Sequence, residues 1–473
     1  MSVGAGAPSP DAGGAPRSVE CFVRAQGDRL RARIRVPGSK SLTNRHLVIA
    51  ALAEGATRLG GVLRSDDCDR LAAALSAMGA RFTWDAHDPT VVEVRGVGGK
   101  PHSATRIDLG DGGTPTRFML AVAALARGET EVDGSARMRE RPIDEGVDLL
   151  RALGATASFP RAARALPVVI GGPASGMLEG GAIEVGRTAS SQFISALMLV
   201  APWTARGIDI RFVDEPTSAG YLALSIAALA AHGVEVATEY APVALGRAAP
   251  GAGLRRIAIA PQAVRGARID VEPDASSAVY PAALAAIMGG EVELVGCARR
   301  SLQPDSWFLD DLALRGVEVE ELADAAGLPS VRVRSSGVLR AHDADYSRAP
   351  DAAVMAMVVA ACADGPSRFT GLGTLPVKES DRIASVAAGL RALGACVDTG
   401  SDWATIHPLP AQRTSAVIAA SSDHRIAMAF AILGAARGGV SIDDPGVVSK
   451  SWPDFWTALD LLGGQVCRQN GGR

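Results

Sequence analysis

A two-part phrase recurs six times along the chain, and this recurrence narrows the possible folds more than any single motif does. The first part is an Ala/Leu-rich helical stretch that ends in glycine and passes into a short alternating strand. It occurs around Gly55, Gly128, Gly207, Gly290, Gly365 and Gly439, at intervals of roughly 73 to 83 residues. The second part is an amphipathic helix, a glycine and a strand. It ends at Gly79, Gly154, Gly233, Gly316, Gly394 and Gly463. A glycine there releases the chain from the helix through a left-handed residue without steric cost. Two helices and several strands per unit, repeated six times, predict an α/β protein. At 473 residues the chain exceeds what one core usually serves, so two or three globular units are expected. Aromatic residues are only 4%, so the cores must be built from Ala, Val, Leu and Ile.

Charge and cysteine usage limit the function classes. Forty-eight basic residues face 51 acidic ones, for a net charge of −3. Without a global basic field, bulk nucleic-acid binding is disfavoured, and an anionic ligand needs a local cluster of Lys and Arg. Cys21, Cys68, Cys297, Cys362, Cys396 and Cys467 are scattered, with no C-x-x-C pair and no Cys/His group at zinc spacing. Buried reduced thiols are therefore expected, rather than a disulfide framework or a metal site. Residues 1–17 are rich in Gly, Ala, Pro and Ser and lack the basic start and apolar run of a secretory signal, so they read as a disordered tail. The Ala-rich runs are broken by Gly and charge, which argues against a membrane span and for a cytoplasmic protein.

Several segments concentrate chemistry at expected helix starts. Lys40, Ser41 and Arg45 follow a Pro37-Gly38 turn after a strand over 30–36, and a helix is expected over 44–52. Free N–H groups at such a start favour an anion, although an isolated basic turn is often only solvated. The segment 109–117 places three glycines, including Gly113, before a helix expected from Phe118. Arg137, Arg139 and Arg141 lie within a few residues of one another, and Arg recognises carboxylate and phosphate in bidentate pairs. Ser190, Ser191 and Gln192 open a helix, as ordinary caps or as hydroxyl ligands; Asp274 opens the matching helix in the second half. Toward the C-terminus, Asp351 sits at the start of a helix expected over 352–363. The run Lys378-Glu379-Ser380-Asp381-Arg382, the opening Asp423-His424-Arg425, and Lys450 supply further acids and bases. Each alone is also an exposed charged turn. Together, and only if the helix starts of both halves converge, they make one anion-seeking cleft.

At these residues the chain resembles the 5-enolpyruvylshikimate-3-phosphate synthase family of enolpyruvyl transferases. The resemblance runs from about residue 33 to about residue 456. It is carried by P-G-S-K-S-x-x-N-R, G-x-x-G-T-x-x-R, R-M-R-E-R-P-I, S-S-Q-F, V-K-E-S-D-R and D-H-R-I-A-M-A-F. It implies a two-domain fold of six βαβαββ repeats, three per domain, with the active site in the interdomain cleft. Residues 18–38 plus 272–473 would form one discontinuous domain and 39–271 the other. The implied reaction moves the enolpyruvyl group of phosphoenolpyruvate to the 5-hydroxyl of shikimate 3-phosphate and releases phosphate. No metal, cofactor, nucleic acid or membrane is implied, and the protein is expected to be a monomer. By motif, Lys40 would touch both substrates. Ser41, Arg45, Ser190, Ser191, Gln192, Ser218, Asp351 and Lys378 would bind shikimate 3-phosphate. Gly113, Arg141, Gln192, Arg382, Arg425 and Lys450 would bind phosphoenolpyruvate. Asp351, Glu379 and Lys40 would be catalytic, Asp351 accepting the hydroxyl proton and Glu379 serving proton transfer at the methylene carbon.

Four positions depart from the family pattern: Asp111, Phe118, Thr374 and Pro376. They leave the catalytic set intact and bear on relative substrate affinity. One alternative is a related transferase that uses UDP-N-acetylglucosamine or a modified shikimate as acceptor. The first of these usually carries a reactive Cys in a mobile loop, and residues 133–142 contain none. A non-catalytic binder of anionic metabolites is the other alternative, and the presence of Lys40, Asp351 and Glu379 argues against it.

Overall fold

The computed structural model describes residues 18–22, 30–161, 164–173, 176–242, 250–323 and 327–469. The tail expected at residues 1–17 lies outside them. Among the described residues the strands form six four-stranded sheets of one pattern. In each, a parallel pair is extended by two antiparallel strands. Ala56–Gly60, for example, runs parallel to Arg268–Asp270 and antiparallel to Val92–Arg95, which pairs in turn with Arg81–Trp84. The six glycines that close the second helix of each phrase all have positive φ, from 77° at Gly233 to 107° at Gly79. The chain-reversing role expected of them is thus present at every copy.

Each sheet is accompanied by one helix that is apolar almost all round and by a second, more amphipathic one. Ala353–Ala360 is buried along its whole length, and His424–Arg437 nearly so. Asp66–Ala77 and Asp144–Ala152 bury only one face. Helices of the first kind belong inside a layered core, and their small Ala side chains let them pack closely. Two hydrophobic cores result. One gathers Leu30, Val36 and side chains from Ala278 to Leu462; the other draws on Leu42 to Val271. The chain passes between them twice, and the two passages lie side by side. Ser39 N–H donates to the Glu272 carbonyl at 2.9 Å, and Asp274 N–H donates to the Pro37 carbonyl at 2.8 Å. Strands exchange accordingly: Leu30–Ile34 pairs with Gly290–Val295 in the second half.

A buried histidine pair links two helices of the 42–271 core. His46 Nδ1 lies 3.1 Å from His232 Nε2. Burial, helped by the charges of His232 and Arg45, pushes His46 down to about 3; burial pushes His232 down to about 4. Both stay neutral when folded but take up protons near 6.5 when unfolded. Their neutrality therefore costs nothing above about pH 6.5, and stability falls as the pH drops from there toward 4. We expect the urea midpoint to fall over that window, and His232→Gln to make the fall shallower. An identical slope in the variant would show that the pair is not responsible.

Candidate active site

The apolar helices all begin at one cleft, whose empty space, counted out to open solvent, is about 1060 Å³. Its wall includes Lys40 and Ser41, Gly113 and Thr114, Ser190 to Gln192, Ser276 and Ser277, Asp351, and His424 and Arg425. These lie in or just before the first turns of six helices. Each first turn has backbone N–H groups that the helix itself does not use, so the cleft favours anions before any side-chain charge is counted. Local caps set these starts. Ser39 accepts from Leu42 N–H, so the first helix runs Lys40–Leu52 rather than 44–52 and Lys40 is its first residue. Gly113 is likewise already helical, in Gly113–Ala123, rather than part of a turn before Phe118. Asp351 stands in a turn two residues ahead of Ala353–Ala360. Ser218, which lines the cleft, has left-handed backbone (φ 49°), as do Ser421 and Ser422 just before Asp423. Non-glycine residues hold such geometry only where their surroundings enforce it.

The C-terminal side holds a compact cluster of ion pairs. Asp351 Oδ1 accepts from Arg382 at 2.8 Å and lies 3.3 Å from Lys378 Nζ. Its Oδ2 accepts from Arg425 at 3.0 Å and from the Tyr221 hydroxyl at 3.3 Å. Glu379 pairs with Arg382 at 2.9 Å and Lys450 at 3.2 Å, with Arg141 at 3.7 Å. Arg382 is 1% exposed and also binds Asp423 at 2.8 Å. Burial alone would raise both carboxyls. Arg425, Lys378 and Arg382 outweigh it at Asp351, and Lys450, Arg141 and Arg382 at Glu379, so both sit well below the usual carboxylate range. Burial pulls Lys378 down; it also opposes the charge on Lys450, but Glu379 together with Asp67 and Asp423 outweighs it and raises Lys450. Arg141 Nε and Nη1 and Arg425 Nε are buried with no hydrogen-bond partner. Buried guanidinium donors facing a cleft are an unmet demand for oxyanions.

The facing wall is held by Arg117, which donates to the Gln192 side chain at 2.7 Å and to the Pro142 carbonyl at 2.8 Å. Gln192 in turn donates to Thr114 at 2.8 Å. Burial and the nearby Arg141 charge push Arg117 down to about 9. A methyl group at Gly113 would stand 2.7 Å from Arg141 Nη1, so this glycine makes room for the guanidinium. Gly113→Ala is therefore expected to raise the KM for the ligand held by Arg141 about tenfold while melting within a few degrees of the parent. Unchanged KM values for both substrates would remove Arg141 from that contact.

The sequence-derived candidates are brought together. Lys40, Ser41, Arg45, Gly113, Arg141, Ser190, Ser191, Gln192, Ser218, Asp351, Lys378, Glu379, Arg382 and Arg425 line the cleft, and Lys450 reaches it through Glu379. Lys40 lies 3.3 Å from Asp67. Arg45 is occupied internally: it donates to Ser225, the Ser41 carbonyl, Ser195 and the Tyr221 carbonyl. Arg117, Thr114, Tyr221 and Asp67 also line the cleft, and Thr374 does so with a buried, unpartnered hydroxyl. Arg117 and Thr114 were visible in the Gly-rich motif; Tyr221 carried no signal. Among the departures, Phe118 packs beneath the Arg45 guanidinium and Asp111 accepts from the Ser135 hydroxyl. Well away from these motifs, Cys396, Asp398 and His407 bring ligating atoms within 4.8 Å of one another. Strand pairing sets His407 opposite Cys396, a proximity hidden by the linear spacing.

Helix starts, arginines and lysines gathered around two half-buried, ionised carboxylates define an acid–base enzyme for small polyanions. Comparison with known proteins sharpens this. The family model for EPSP synthase (3-phosphoshikimate 1-carboxyvinyltransferase) matches residues 24–459. The chain is 39% identical to 3-phosphoshikimate 1-carboxyvinyltransferase of Methanosphaerula palustris, over 89% of this chain and 95% of that one. It is 38% identical to the enzyme of that name from Bordetella pertussis, over 90% and 94%. The solved EPSP synthase of Acinetobacter baumannii superposes with a TM-score of 0.75 at 25% identity, over 95% and 99% of the two chains. The chain belongs to the EPSP synthase family, the 3-phosphoshikimate 1-carboxyvinyltransferases.

Proposed function

We infer that the cleft carries out the family's transfer, and that its residues divide the work as follows. The chain moves the enolpyruvyl group of phosphoenolpyruvate to the 5-hydroxyl of shikimate 3-phosphate, with release of phosphate. The observation that carries the assignment of roles is the pairing of Asp351 with Lys378, Arg382 and Arg425 beside Glu379 with Lys450, Arg382 and Arg141. Asp351 is ionised and takes the proton from the 5-hydroxyl as its oxygen attacks C2 of phosphoenolpyruvate. Glu379, which takes up a proton once the substrate anions compete for its cations, gives that proton to the methylene carbon, forming a tetrahedral adduct that still carries the phosphate. The Glu379 carboxylate then takes a proton back from the new methyl group, which restores the double bond and expels phosphate, and Arg and Lys stabilise the phosphate as it leaves. Arg141, Arg382, Arg425 and Lys450 hold phosphoenolpyruvate. Lys40, Ser41, Ser190, Ser191, Gln192, Ser218 and Lys378 hold shikimate 3-phosphate, and Arg45 fixes the Ser41 backbone. Phosphate and carboxylate groups compete with Asp351 and Glu379 for the same cations. Substrate binding therefore raises both proton affinities toward the working range.

The fold is read as six βαβαββ repeats, three per domain, with residues 18–38 and 272–473 in one domain and 39–271 in the other. Two separate cores and the adjacent crossings support this. Arg137 reaches across the cleft to the carbonyls of Lys378 and Glu379, Lys450 to the carbonyl of Asp111, and Ser449 to Asp66. Closure of the domains on the ligands would exclude water from the adduct. Small-angle scattering should show a smaller radius of gyration when shikimate 3-phosphate is added; an unchanged radius argues against a hinge. The deciding experiment is phosphate release from phosphoenolpyruvate with shikimate 3-phosphate or UDP-N-acetylglucosamine as acceptor. Turnover with the nucleotide sugar alone overturns the acceptor assignment.

A further inference from the structure

One short turn touches both chain crossings and the backbone that carries Asp351, although these lie far apart in sequence. The turn contains Gln303, Pro304 and Asp305, and it leads into the single helical turn Pro304–Trp307. Gln303 is 4% exposed and makes three contacts to the crossings. Its amide oxygen accepts from the Ser39 hydroxyl at 2.8 Å and from the Ala275 N–H at 3.0 Å; its amide nitrogen donates to the Pro273 carbonyl at 2.7 Å. The backbone N–H and C=O partners fix which end of the amide points where. Ser39 caps the helix that begins at Lys40, so one contact bears directly on that lysine. Two residues on, Asp305 is 2% exposed. It accepts from the Ala352 N–H at 3.3 Å and from the Ser276 hydroxyl. Ala352 directly follows Asp351. Pro304 between them has a fixed φ, so the two side chains cannot readily move independently.

We propose that Gln303 and Asp305 are positioning residues for the transfer: they lock the helix start that carries Lys40 and the turn that carries Asp351 to one rigid point at the crossings. The proposal rests on the roles given above to Lys40 and Asp351. Neither Gln303 nor Asp305 lines the cleft, so neither binds substrate. Their effect is geometric, and misplacement of a reacting group by about 1 Å can cost on the order of 10² in rate. Burial, with the adjacent Asp351 charge, pushes the Asp305 carboxyl up to about 6. Its charge is therefore a second route by which Asp305 could act, and an amide at this position separates charge from geometry.

The test compares Gln303→Leu, Asp305→Ala and Asp305→Asn in the full-length chain by steady-state phosphate release, calorimetric binding of shikimate 3-phosphate and thermal melting. Gln303→Leu and Asp305→Ala should lose about 10²-fold in kcat while the affinity for shikimate 3-phosphate stays within about threefold. Asp305→Asn should recover most of that loss, because its amide oxygen still accepts from Ala352 N–H. Lowered melting temperatures with kcat per folded enzyme unchanged would reduce both residues to structural supports and overturn the proposal. So would Asp305→Asn as slow as Asp305→Ala with a displaced pH profile, which would assign the effect to charge. Should Gln303→Leu not fold, Gln303→Glu keeps the two accepting contacts and loses the donating one; a lowered kcat supports the proposal and an unchanged kcat overturns it. Asp351→Asn is run alongside. Normal turnover there defeats the reading of Asp351 itself, whereas an inactive Asp351→Asn beside normal turn variants defeats only the proposal made here.

Discussion

Asp351→Ala is expected to lower turnover by at least about 10² while leaving the affinity for shikimate 3-phosphate intact or stronger. The two effects separate because Asp351 has two roles in the free enzyme. It is the carboxylate placed to accept the hydroxyl proton, and it also balances Lys378, Arg382 and Arg425, all within 3.3 Å of its oxygens. Removing it abolishes the acceptor and leaves the buried Arg382 and Arg425 and the half-buried Lys378 for the ligand's anions to balance. Asp351→Asn should behave alike in turnover, since an amide cannot accept that proton at neutral pH. Saturating phosphate-release assays together with equilibrium binding check both halves. Turnover within tenfold of the parent would remove Asp351 from proton transfer.

Arg382→Met should be more damaging still, because it strikes stability and chemistry together. Its guanidinium bonds Asp351, Glu379 and Asp423 at once, at 2.8 to 2.9 Å, and is almost wholly buried. Deleting one member of a buried ionic network leaves charges without compensation, at a cost of about 3–5 kcal/mol. The three carboxylates would then repel one another and take up protons, so the base and its neighbour would lose their ionised state. We expect chemical denaturation to show that loss of stability, with turnover reduced by more than about 10³. Arg382→Lys retains the charge but cannot reach three carboxylates in fork geometry, and should be intermediate on both counts. Parental stability in Arg382→Met would mean that the network contributes little.

Much of the cleft was legible because its residues sit beside helix caps, and caps are local. Ser39 before Lys40, Ser190 before Gln192, Asp381 before Arg382 and Asp423 before Arg425 all cap as their neighbours in sequence suggest. Boundaries were less legible. The helices at Lys40 and Gly113 begin earlier than periodicity suggests, because a cap hydroxyl and a glycine turn extend the helix beyond its apolar stripe. Tyr221 gave no warning. An aromatic residue in an Ala-rich helix reads as core, and only the approach of the two halves brings its hydroxyl to Asp351.

By itself the sequence determined the repeat, the glycine reversals, the apolar helices and the supply of cations at their starts, since each depends on residues close together along the chain. The tertiary structure alone decided which cation faces which carboxylate, that Arg45 is consumed by its own surroundings, and that Gln303 ties together two crossings more than two hundred residues apart. Such pairings are set by how two independently packed cores meet, and no local propensity encodes that meeting.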